Sequence, residues 1–169
     1  MALDTTIGGA SADSYATLAE YQAYATAMGW TLDIADATNE AYLRRATVVN
    51  DAAYNWKGHR VASTQALQWP RNIAEYIDGF AVGSDEIPAP IKKAQMEMAY
   101  ALQGGATPDA AVDGRSITSE RKKVDVIETE TTYSEGYTEK RYPAIDRLVL
   151  PYSNGKFGQS AGSVPIMRA

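Results

Sequence analysis

The chain has 169 residues, enough for one ordinary domain with a sizeable core, and a formal net charge of -5. That balance argues against a broad basic surface of the kind that neutralises many phosphates. There is no cysteine and His59 is the single histidine, which excludes a disulfide framework, a thiolate nucleophile, a cysteine-ligated metal and a histidine cluster.

The opening residues, MALDTTIGGASADSY, lack a basic start followed by an apolar core, and no apolar run approaches the roughly 18 residues of a membrane span. The chain is therefore expected to stay in the cytoplasm. Helical periodicity governs the first hundred residues. In TLAEYQAYATAMGW, Leu18, Tyr21, Ala25 and Met28 recur at helical spacing, Thr17 with Glu20 matches a capping box, and Gly29 can close the helix. In NEAYLRRATVVNDAAYNWKG, one stripe carries Tyr42, Ala46, Val49, Ala53 and Trp56, with Asp36 or Thr38 as cap and Gly58 as stop.

TQALQWPR, residues 64–71, follows in what reads as a loop. Pro70 pushes Trp69 towards extended geometry, and the connection to the next helix is too long to be structureless. NIAEYIDG within it reads as a short helix. The helix APIKKAQMEMAYALQGG then has Pro90 in its first turn, Ile91, Ala94, Met98 and Leu102 on one face, and Gly104 and Gly105 at its end.

Beyond residue 105 the composition changes. ITSERKKVDVIETETTY is rich in Thr, Val and Ile with partial alternation, Val124 and Val126 opposite Asp125 and Ile127, and reads as an extended strand or hairpin arm. YPAIDRLVLPY reads as a short helix started by Pro143 and stopped by Pro151, with Ile145, Leu148 and Val149 apolar. SNGKFGQSAGSVPIMRA reads as a mobile tail. The expected fold is mainly α: a helical bundle over 1–105, a linker and extended β arm over 106–142, a short helix over 143–152, and a flexible tail or docking arm over 153–169.

Candidate chemistry is sparse. His59, beside Lys57 and Arg60, reads as a surface or capping histidine. Ser11, Ser14 and Ser63 have no His and Asp constellation, and no nucleotide-binding motif is present. Asp33, Asp36, Asp78, Asp85 and Glu86 read as loop and cap carboxylates. No enzyme activity, cofactor or metal is expected. Trp30 and Trp56 are expected in the core. Trp69 is either a plug closing one end of the bundle or an exposed anchor, and Arg71 either pairs with a carboxylate or is an exposed cation.

The ordered fragments SYATLAEYQAYATAMGW, EAYLRRATVVNDAAYNWKGHRVASTQALQWPR, DGFAVGSDEIPAPIKKAQMEMAYALQ and RYPAIDRLVLPY carry the patterns W-x-G, Q-x-L-x-W-P-R, I-P-x-x-[IV] and Y-P-A-[IV]-D. Over about residues 14 to 152 they resemble small tailed-bacteriophage proteins labelled DnaT-like ssDNA-binding, and through them phage head-tail connector (adaptor) subunits.

The resemblance implies a structural virion protein of the capsid-tail neck, assembled in the host cytoplasm. It would form a ring, commonly twelve-fold, beneath the portal protein and above a stopper or tail-completion protein, with DNA passing without specific binding and with no membrane. It also implies an architectural motif of Trp56, Gly58, Gln65, Leu67, Trp69, Pro70 and Arg71. The arm and tail, through Ile117, Val124, Val126, Ile127, Tyr133, Tyr142, Phe157 and Ile166, would reach neighbouring subunits or the portal. The label supplies the alternative, a phage replication-type single-stranded DNA-binding protein, which requires exposed aromatics beside Lys57, Arg60 and Arg71. The acidic balance favours the connector.

Overall fold

Residues 2–108, 121–124, 127–130 and 142–156 are described by the computed structural model. They contain the helices α1 (Leu18–Met28), α2 (Asp36–Ala53), α3 (Ala89–Gln103) and α4 (Pro143–Val149), the last continued by a 3-10 turn at Leu150–Tyr152. The strands are β1 (Tyr54–Trp56), β2 (His59–Arg60), β3 (Arg71–Asn72), β4 (Arg121–Val124), β5 (Ile127–Glu130) and β6 (Ser153–Lys156), paired antiparallel as β1 with β6, β2 with β3 and β4 with β5. The fold is mixed α/β rather than mainly α, because aromatic and loop segments expected to be helical or irregular pair as short strands.

The chain divides into two units, 1–107 with 142–169, and 108–141. In the second, β4 and β5 form a hairpin that sets Arg121 across from Glu130, Lys123 across from Glu128 and Val124 across from Ile127. Of the expected strand or hairpin arm, the described residues form a hairpin.

In the first unit, α1 starts with the expected reciprocal cap: the Thr17 hydroxyl accepts from the Glu20 N–H at 3.1 Å and the Glu20 carboxylate from the Thr17 N–H at 2.7 Å. Gly29 ends it in the left-handed region at φ 71°. Tyr21 and Ala25 are buried, whereas Met28, expected on the same face, is exposed. The helix α2 departs further from expectation. Its N-cap is Ala35, with no side-chain cap bond, and the Asp33 carboxylate accepts the Ala35 N–H at 2.9 Å.

The same helix stops at Ala53 because Tyr54 and Trp56 pair with Lys156 and Ser153 of β6, burying both rings. Residues 153–156, expected in the flexible tail, are therefore a strand; 157–169 lie outside the described residues. The inward face of α2 holds Asn39, Leu43, Ala46, Thr47 and Asn50, while Tyr42, Val49 and Ala53 are only partly buried. Three polar residues displace the apolar stripe.

Gln95 on α3 accounts for one of them, Thr47. It is fully buried between α2 and the segment preceding α1. Its Oε1 accepts the Tyr15 N–H at 3.2 Å and the Ala16 N–H at 2.9 Å. Its Nε2 lies 2.7 Å from Ser14 Oγ, 2.7 Å from Thr47 Oγ1 and 3.0 Å from the Leu43 carbonyl. An amide has only two N–H donors. The two hydroxyls, at the shorter distance, take them, and Thr47 donates its own proton to the Leu43 carbonyl at 3.0 Å. Around this polar hub, Leu43, Ala46, Ile91, Ala94, Met98, Leu102, Ile145 and Val149 belong to the apolar core, to which each fully buried large aliphatic side chain contributes about 1.5–3 kcal/mol.

Gln95→Leu keeps the volume but leaves two buried N–H groups without an acceptor. At about 1–3 kcal/mol for each orphaned group, urea unfolding is expected to show a loss of about 3–5 kcal/mol. A loss under about 1 kcal/mol contradicts the hub.

Candidate nucleic-acid interface

The span between α2 and α3 contains little regular structure, so its backbone groups find side-chain partners. Gln65, buried, accepts the Ala62 N–H through Oε1 at 3.0 Å and donates through Nε2 to the Leu67 carbonyl at 2.9 Å and the Pro70 carbonyl at 3.0 Å. Arg71, 7% exposed, donates from Nε to the Lys57 carbonyl at 2.7 Å, from Nη2 to the Gly58 carbonyl at 2.7 Å and from Nη1 to Gln68 Oε1 at 2.9 Å. Arg71 is thus neither an exposed cation nor the direct partner of a carboxylate; its planar fork matches carbonyls diverging from one turn. Burial lowers its pKa, opposed by the nearby Tyr15 and Asp51.

Gly58 sits at φ 63°, and any Cβ there would run into the Asn72 carbonyl, so the tight approach of β2 to β3 requires glycine. Trp69, 1% exposed, follows a trend set by its neighbours: it packs edge-on against Trp56 at 5.8 Å and Tyr152 at 5.8 Å, with Leu67 partly buried beside the core. It is the plug of the two expected alternatives. The Trp69–Pro70 peptide is cis.

Asp51 ties this loop to the rest of the unit. Its Oδ1 accepts from the Tyr15 hydroxyl at 2.6 Å, its Oδ2 from the Gln68 N–H at 3.0 Å and its backbone carbonyl from the Trp56 indole N–H at 3.3 Å. The Tyr15 oxygen in turn accepts the Trp69 N–H at 3.3 Å. Withdrawal from water raises the Asp51 pKa from 3.8 to about 6, partly offset by the bonds from Tyr15 and Gln68 and by the charge of Arg71. Burial, and then the Asp51 charge, push the Tyr15 phenol well above its ordinary value.

With the loop fixed, β2 is exposed along its length. His59 pairs with Asn72 and Arg60 with Arg71 across the ladder, and both β2 side chains face solvent. Arg60 donates from Nη1 to the Gln65 carbonyl at 3.2 Å, which leaves most of its N–H donors for a ligand. Lys57, partly buried, pairs with the exposed Glu75 at 3.0 Å, close to the surface pairs worth about 0–1 kcal/mol.

Glu75 lies within the segment expected as a helix, NIAEYIDG. It is instead extended and ends in a tight turn, with Ile77 and Phe80 exchanging backbone bonds at 2.9 and 3.0 Å around Asp78 at φ 52° and Gly79 at φ 84°. Positive φ at both central residues defines a type I′ hairpin turn, for which Asp-Gly is a preferred pair. Ile77 is buried and anchors the turn, while Tyr76 and Phe80 on either side are 74% and 77% exposed.

Other expected positions are dispersed. Among the described residues no three of His, Asp and Glu converge as a metal site, so Asp33, Asp36, Asp78, Asp85 and Glu86 form no such group. Trp30, expected in the core, is only partly buried and stacks on Tyr100 at 4.2 Å outside the buried core cluster. Arg44, Lys92 and Lys156 are engaged by Asp13, Glu20 and Asp146. Tyr142 stands at the N-cap of α4 and is partly buried against the core. Val124 and Ile127 lie in the hairpin, and Ile117, Val126, Tyr133, Phe157 and Ile166 lie outside the described residues. Among the described residues no helix is long and apolar enough to cross a membrane.

The fold and this surface define a small mixed α/β chain built around a tryptophan-proline-arginine loop that exposes two short basic and aromatic segments. A family model described as "Putative DnaT-like ssDNA binding protein" matches residues 1–169, and the chain belongs to that family. No curated protein and no solved structure matches it. The family's description names single-stranded DNA binding, which overturns the head-tail connector assignment. With it go the portal and stopper partners, the twelve-fold ring and the passage of DNA without binding. The acidic balance misled because a whole-chain charge says nothing of a local surface, and base stacking needs no net positive charge.

The raised Asp51 pKa makes stability depend on pH. Between about pH 4 and 6 the native state keeps a proton that the unfolded chain has released. The contribution is therefore full below about pH 4 and is lost as pH rises through about 6, by up to about 3 kcal/mol. Asp51→Asn removes this term. Urea unfolding of both proteins is expected to show the difference moving in favour of the variant from pH 4 to 7; a constant difference contradicts the assignment.

Proposed function

We propose that this chain binds single-stranded DNA without sequence specificity, through the surface formed by β2 and the segment leading to the Asp78–Gly79 turn. The observation that carries the reading is the family match over the whole of residues 1–169. The solvent-facing His59 and Arg60, with Lys57 held only by its ion pair to the exposed Glu75, support it. The proposal involves no catalytic step and no cofactor.

The chemistry sets limits on such binding. Arg71 is committed to carbonyls and cannot serve a phosphate, so Lys57 and Arg60 are the permanent cations of the surface. Each phosphate neutralised on a single strand contributes a slope of about -0.7 to the dependence of log K on log salt. Two contacts give about -1.4.

Fluorescence anisotropy with a labelled oligothymidine is expected to show single strands preferred over duplex and a salt slope between about -1 and -2. Lys57→Ala with Arg60→Ala should flatten that slope towards zero. No binding at about 50 mM salt, or a slope steeper than about -4, overturns the proposal, the second because it requires a basic site elsewhere.

A further inference from the structure

Two cations account for little of the affinity that a single-strand binder needs, so a second source of binding has to lie near them. Single strands differ from duplexes in offering base faces. Resting on the single-strand reading above, we infer that Tyr76 and Phe80, carried by the Asp78–Gly79 turn, are a base-stacking platform that takes unpaired bases while β2 takes the phosphates.

The aromatic inventory singles out these rings. Tyr24, Trp30, Tyr54, Trp56, Trp69, Tyr100 and Tyr152 are engaged in ring pairs. Tyr15 and Tyr21 are buried, and Tyr42 and Tyr142 pack against the core. Among the described residues, Tyr76 and Phe80 are the aromatic side chains left exposed. A phenyl ring three quarters in water forgoes its burial free energy, and here the ring sits on a turn whose backbone is fixed by two hydrogen bonds and anchored by a buried Ile77. A turn whose backbone is already fixed suits stacking, because little backbone entropy is left to lose on binding.

Charge divides the labour. Glu75 and Asp78 flank the rings and repel a phosphate, but an uncharged base face tolerates them. The adjoining Lys57, 3.0 Å from Glu75, marks where the backbone of the strand can be received. Aliphatic groups that are equally exposed, such as Ile34 in the α1–α2 loop, lack a π face.

The test uses the intact chain, a labelled oligothymidine and an abasic strand of the same length. Tyr76→Ala and Phe80→Ala should each weaken oligothymidine binding by about fivefold to a hundredfold, the range for losing one stacked base, and should leave the already weak abasic binding unchanged. Ile34→Ser should change neither. If the wild type binds oligothymidine and the double variant binds it equally well, the platform is overturned while the single-strand reading stands. An equal loss on both strands also overturns it, since the rings then act on something other than bases. If the wild type binds no oligothymidine at all, the single-strand reading fails first and the platform with it.

Discussion

The guanidinium of Arg71 is the constraint on which the exposed surface depends. Beyond β1, the span joining α2 to α3 has strands of only two residues, too short to satisfy its backbone by ladder pairing. A buried fork that reaches the Lys57 and Gly58 carbonyls and the Gln68 side chain supplies what the ladder cannot. A lysine, with one compact ammonium, lacks that geometry. The cation stays buried because oxygen dipoles surround it and Asp51 contributes a charge at longer range. Held this way, the 57–60 turn presents His59 and Arg60 outward instead of folding back on the core.

Tyr15 joins the two polar networks. Its N–H goes to Gln95 in the helical core, and its hydroxyl lies between Asp51 and the Trp69 N–H at the edge of the loop. The short segment before α1 is therefore a strut between the core hub and the loop, and a change in either network is felt at both. The apolar plug of Trp69 between Trp56 and Tyr152 closes the same end, so β1, the 3-10 turn and the loop cohere through rings while the loop is linked to α3 by hydrogen bonds through Tyr15.

Much of the helical frame was legible in the residues. The Thr17 and Glu20 box, Gly29, and Pro90 with Gly104 and Gly105 mark helix ends through local chemistry, and local chemistry is what a sequence displays. The end of α2 was not legible, since Tyr54 and Trp56 continue the helical spacing and their strand partner lies about a hundred residues later. Nor was the inward turn of Asn39, Thr47 and Asn50, or the role of Gln95. A glutamine on a helix reads as solvated until its acceptors on other elements are known. Arg71 misled for the same reason. The turn at Asp78–Gly79 carried a signal that was overridden: NIAEYIDG has helical spacing, but Asp-Gly between Ile77 and Phe80 is a hairpin signature, and reading it so would have exposed Tyr76 and Phe80 as candidates.

Under the proposed function, the loop scaffold presents residues 57–61 and 74–81, joined by the Lys57–Glu75 ion pair, to single-stranded DNA. Amide chemical-shift mapping of the isotope-labelled chain during titration with a short oligothymidine tests this most directly. The largest shifts are expected on those two segments, while the exposed positions Ile34 on the α1–α2 loop and Val48 on α2 stay still. Shifts concentrated on the α1–α2 side, with residues 57–61 and 74–81 unmoved, would contradict it.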